Sequence, residues 1–113
     1  MELGIAEFSI PGRSLEEKLQ VIEEHWLWLE LVNDGMAWKH VRWRELLSTS
    51  QARVRAVQAY LQHEFNLLSG SAVERKAAFD HVRQSIELAS KFGGENVVVI
   101  ICYGKPGISR PRK

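Results

Sequence analysis

Four histidines, one cysteine and four tryptophans are the side chains in this sequence best suited to metal binding, nucleophilic chemistry or ring stacking. His25, His40 and His81 show no metal-ligand spacing relative to one another. His81 falls beside the apolar stripe of a helix and is expected at its rim. Cys102 lies inside an apolar strand and reads as a buried thiol, because thiolate ligation needs partners close in space. Trp26, Trp28, Trp38 and Trp43 read as core or contact-surface aromatics before they read as a sugar-stacking platform. Gly104-Lys105-Pro106-Gly107 has neither the spacing of a phosphate loop nor a helix after it, and is a plain turn.

Composition narrows the classes. A chain of 113 residues is one domain, and its hydrophobic (45%) and charged (26%) fractions are those of a soluble globular protein. A net charge of +1 argues against nucleic acid or an acidic membrane as partner. Lys105, Arg110, Arg112 and Lys113 form a short basic tail, read as a solvated loop. One cysteine excludes an internal disulfide and fits a reducing compartment. No signal segment opens the chain, and its longest apolar run falls far short of the roughly 20 residues that span a bilayer. The expected location is cytoplasmic.

The elements that must position these residues alternate strand and helix. Residues 2–10 form a first strand, broken by Pro11-Gly12. Ser14 and Glu17 make a capping box for a helix whose Leu15, Leu19, Ile22 and Trp26 face a core. Residues 27–32 are a second strand closed by the Asn33-Asp34-Gly35 turn. A short helix follows near 42–48. Residues 53–61 read as a third strand, with helix as a competitor on propensity. Ser71 and Glu74 cap a long helix with a Phe79, Val82, Ile86, Ala89 stripe, stopped by Gly93-Gly94. Residues 96–103 are a fully apolar strand, which marks a parallel sheet covered on both faces. Such a strand expects a further helix and strand. Only a loop follows, so the chain is expected to be half of a larger unit. The fold class is α/β with parallel strands, either a doubly wound open sheet or part of a (β/α)8 barrel.

The texture of three segments resembles the N-terminal half of the xylose isomerase-like barrel family. That superfamily includes sugar-phosphate isomerases and epimerases, and endonuclease IV. LGIAEFSI is similar to its opening strand, and SLEEKLQVIEEHWLWLEL to its first helix and second strand. NLLSGSAVERKAAFDHVRQSIELASKFGGENVVVI is similar to its third loop, long helix and valine-rich strand. The resemblance covers nearly the whole chain but about half of a barrel, which needs roughly 250 residues. His25-Trp26-Leu27-Trp28 replaces the family's glycine-aromatic-acidic step, and Cys102-Tyr103-Gly104 stands where some members carry a metal-binding histidine.

The resemblance implies a single partial (β/α)8 TIM barrel domain over residues 1–113, of βαβαβαβ form. It also implies a divalent metal ion (Mn, Mg, Zn or Co) at the C-terminal mouth and a small sugar or sugar-phosphate substrate. Glu30, near the end of the second strand, is the implied substrate-binding carboxylate. His63, after the third, is the implied metal ligand. The family's proton-transfer glutamates lie on later strands, so no catalytic residue is carried over. The expected function is therefore part of a metal-dependent sugar or sugar-phosphate isomerase or epimerase, inactive alone. The alternatives are a half-barrel that pairs with itself or with a separate second half, and a non-catalytic α/β binding module. Open sheet edges and an uncovered apolar face make a homo-oligomer or a partner half-barrel the expected assembly.

Overall fold

The computed structural model describes residues 2–60 and 67–99. Its elements run β1 (Leu3–Ala6), α1 (Leu15–His25), β2 (Leu27–Asn33), α2 (Ala37–Leu47), β3 (Val54–Ala59), α3 (Ala72–Phe92) and β4 (Asn96–Val99). One turn of 3-10 helix, Glu7–Ser9, follows β1. His63, Cys102, the 104–107 turn and the basic tail lie outside the described residues. No helix among the described residues is long and apolar enough to cross a membrane.

The four strands are all parallel and lie in sequence order, β1-β2-β3-β4. A doubly wound sheet reverses its strand order at a switch point and covers both faces with helices. Neither feature is present among the described residues. Leu19 and Ile22 of α1, Trp43 of α2 and Ala89 of α3 share one buried cluster with Leu29, Leu31, Val54 and Val57. All three helices therefore cover the same face, and the sheet curls away from them into a half-barrel. Paired residues in parallel strands share a face. The register thus puts Gly4, Ala6, Trp28, Glu30, Val32, Ala56, Gln58, Asn96 and Val98 on the opposite face, which no helix among the described residues covers, although Val32 and Ala56 are themselves buried there.

Several local expectations shift, each for a physical reason. β1 stops at Ala6 because Glu7 turns its carboxylate inward to the end of β2. Trp26 caps α1 in the left-handed conformation (φ 55°) and is 84% exposed, so it leaves the core that Leu15, Leu19 and Ile22 enter. α2 starts several residues before position 42. Asn33 and Asp34 fold the chain tightly by accepting from the Gly35 and Met36 N–H groups. On α3 the buried line is Ala78, His81, Ser85 and Ala89, while Phe79 and Ile86 stand exposed on its flank. His81 is thus buried rather than at the rim. The serines of both capping boxes accept from the glutamate N–H three residues on. The returning half of the box is absent: Glu17 accepts from the Ser14 hydroxyl, and Glu74 from the Ser69 hydroxyl.

Candidate functional site at the C-terminal end of the sheet

Parallel sheets present their ligands at the carboxyl ends of the strands, where loops and helix starts converge. Here that end holds charge in a dry setting. Glu7 is 1% exposed and Lys39 5%. Glu7 Oε1 accepts from the Val32 N–H at 2.9 Å, and Oε2 lies 2.9 Å from Lys39 Nζ. The ammonium also donates to Asp34 Oδ2 at 2.7 Å and to the Val32 carbonyl at 3.2 Å. Three protons therefore meet three oxygens, and Lys39 is fully used as a tie between β1, β2 and α2. His40 Nε2 lies 3.3 Å from the same Val32 carbonyl, a hydrogen bond that requires its proton on Nε2.

A second, neutral chain of hydrogen bonds extends from this network to α3. Asn33 Nδ2 donates to Ser85 Oγ at 2.9 Å, and the Ser85 hydroxyl donates to the His81 carbonyl at 2.9 Å. Asn33 and Ser85 are both buried, so each bond satisfies a polar atom that would otherwise be costly. Phe8 forms the outer wall of this end. Its ring meets Tyr60 edge to face at 6.0 Å, and the Lys39 ammonium stands 5.3 Å from its centroid.

Glu30 occupies the middle of β2 rather than its end, one step below this network on the uncovered face. Its register neighbours are Ala6 and Ala56, whose small side chains leave the carboxyl standing above them. Partial burial pushes its carboxyl above the usual carboxylate range. Trp28 lies two residues earlier on the same face. Its indole crosses Gly4, where an added Cβ would come within 2.2 Å of the ring, so only glycine allows this approach.

The arrangement is a rigid, net-negative mouth. Among the described residues, Glu7, Asp34 and Glu30 set three carboxylates against two ammonium groups, Lys39 and Lys18, the latter donating to the Glu7 carbonyl at 3.2 Å. The described residues do not by themselves fit a divalent metal. They contain no group of three or more His, Cys, Asp or Glu placed to hold one. Glu7 and Asp34 are both already held by Lys39. His25 is exposed in the last turn of α1, far from the network in the chain, and His63 falls outside the described residues. A cleft of about 790 Å³ opens at the opposite end of the sheet, between Trp26, Trp28 and Arg53. Its size does not make it the better site, because the strands' N-terminal ends carry the stabilising rather than the ligand-binding loops in such folds.

Sequence reasoning singled out Glu30 and missed Glu7, Lys39, Ser85 and the acidic role of Asp34. Glu7 sat inside an expected strand. Lys39 sat before the expected start of α2. The only available signal was a lone acid within an otherwise apolar opening segment. No family model matches the chain, and no curated protein is similar enough to count as a match.

Proposed function

We propose that this chain is one half of a (β/α)8 barrel of the xylose isomerase-like type, which handles a small sugar at its C-terminal mouth and is catalytically incomplete by itself. The observation that carries the reading is the single-face winding: strands in sequence order, helices on one side, and a carboxylate, Glu30, set by its register on the other face. The resemblance of the opening strand, first helix and α3-β4 segment supports the same assignment. Among the described residues, Glu30 is the one carboxylate on that face with no ion-pair partner, whereas proton shuttling beside a sugar carbonyl needs two. Glu30 binds substrate hydroxyls in this reading, and the Glu7–Lys39–Asp34 tie holds the strand ends that position it.

The excess of carboxylates at this end favours a neutral sugar over a sugar phosphate, since a phosphate would face like charge. A divalent metal, where the complete barrel uses one, takes its ligands from outside the described residues, with His63 as the candidate in this chain. A cytoplasmic location fits the single cysteine.

The test is titration calorimetry of the chain with aldoses, ketoses and their phosphates. Trp28→Phe is the control for the cleft at the opposite end of the sheet, and binding at the mouth should survive it. Binding of a neutral sugar, weakened about tenfold in Glu30→Gln, is expected; tenfold corresponds to about 1.4 kcal/mol, the worth of one hydrogen bond to a charged group. No response to any sugar, or a response indifferent to Glu30, sinks the reading.

A further inference from the structure

Among the described residues β1 and β4 are the edge strands of the sheet, and their registers carry a numerical relation. Ala6, Glu30, Ala56 and Asn96 form one line of register across the four strands, on the C-terminal side of the register shift between Leu29 and Glu30. A closed (β/α)8 barrel has a shear of about eight residues, so half a circuit accumulates about four. The right-handed twist of the strands directs that shift toward the strands' N-termini. Extended by one more strand, the line leaves Asn96 and arrives about four residues before Ala6, at Glu2. Val97, Val98 and Val99 then stand opposite Leu3, Gly4 and Ile5. These are the residues of β1 itself.

The faces agree as well as the positions. Val97 and Ile5 pack against the helix-covered core, and Leu3 shares that face through its pairing with Leu27. Val98 and Gly4 both lie on the uncovered face. A shift of odd number would have set interior residues against helix-side residues. Leu3 is 61% exposed and Val98 39% exposed in the single copy, so the pairing covers apolar surface on both edges. Val98 would come beside the Trp28 indole where it crosses Gly4.

We infer that two copies of this chain close into a twofold barrel, β4 of each pairing in parallel with β1 of the other. This deepens the half-barrel reading and rests on it. The two-fold closes both edges at once, so assembly stops at two copies. It also completes the site: a second Glu30 enters the same interior from the strand diametrically opposite. The closed barrel then holds the pair of carboxylates that one copy lacks.

The register makes the test specific. In a Cys102→Ser background, Leu3→Cys and Val97→Cys in the same chain place thiols on directly opposed residues of neighbouring strands, spaced about 4.8 Å apart. Oxidation is expected to yield a covalent dimer at twice 12.9 kDa. Leu3→Cys with Val98→Cys puts the thiols on opposite faces and should not cross-link. Light scattering of the native full chain should give the same dimer mass. Val98→Lys, exposed in one copy, should give a monomer with unchanged helical circular dichroism; Leu3→Lys should do the same from the other edge. A native monomer at high concentration, an open-ended series of oligomers, or cross-linking only in the Leu3/Val98 pair would each overturn the closure. None of these results depends on sugar binding, so a failed closure and a failed sugar site are read separately.

Discussion

Leu29 and Glu30 are neighbours in β2, yet they live in different solvents. Leu29 points under the helices and is wholly buried beside Trp43, Ile22 and Val57. Glu30 points to the uncovered face and keeps a carboxyl partly in water. The same contrast divides the four tryptophans. Trp43 fills the covered core, whereas Trp26 stands in solvent and Trp28 lies half-buried across Gly4. One face of this sheet is finished by its own chain. The other is left without a helix over it among the described residues. Stability is concentrated on the first, and the proposed binding site rests on the second.

The strongest way to test this division is to damage the covered side. Trp43→Ala removes the largest fully buried side chain and should cost about 3–5 kcal/mol in urea unfolding. A loss below about 1 kcal/mol would mean that the helices do not rest on this core.

Lys39→Met probes the seam between the two regions. It leaves the Glu7 carboxylate buried without its cation, and a cost of about 3–5 kcal/mol is expected. Glu7→Gln added to Lys39→Met should recover part of that loss, because the amide oxygen still accepts from the Val32 N–H. A double variant no better than Lys39→Met would show that the ion pair is not the source of the cost.

Trp26→Gly moves to the exposed side and should raise stability by about 1 kcal/mol. Glycine tolerates the left-handed cap that Trp26 adopts, and little burial is lost. A decrease in melting temperature would assign the indole a packing role.

The smallest effect is expected at Glu30. Its folded-state pKa is raised, so the folded protein binds this proton more tightly than the unfolded chain does. The carboxyl imposes no penalty below the usual carboxylate range, and a penalty develops as pH rises through the raised value. Glu30→Gln should therefore leave stability unchanged near pH 4 and raise it slightly, by less than about 0.5 kcal/mol, near pH 7. A variant stabilised equally at both pH values would reject desolvation as the cause.

Much of the covered face was legible because local signals and tertiary packing agree there. The serine N-caps at Ser14 and Ser71, the Gly93 stop and the Leu15-Leu19-Ile22 stripe act within one helix and appear where expected. The alternation of strand and helix was enough to read parallel strands. β3 was a strand despite helix-favouring residues, since Val54, Ala56, Val57 and Ala59 are buried between two neighbouring strands. The α3 stripe misled because small and polar residues face the sheet: Ala78, Ser85 and Ala89 allow close approach, and Ser85 is needed by Asn33. Apolar periodicity gives such a face no weight. Of the candidate site, Glu30 was singled out only through the family resemblance, while Glu7 and Lys39 had no such pointer. They are 32 positions apart, and nothing in either neighbourhood announces the other.

The order of elements, their caps and the parallel class were determined by the sequence alone, because each depends on residues within a turn or two of one another. Which face the helices take, where β1 ends, and which charges meet at the mouth were decided only by the tertiary structure. Those outcomes come from burial. A carboxylate such as Glu7 can leave water only where a backbone N–H and an ammonium wait for it, and that place exists only once β1, β2 and α2 have come together.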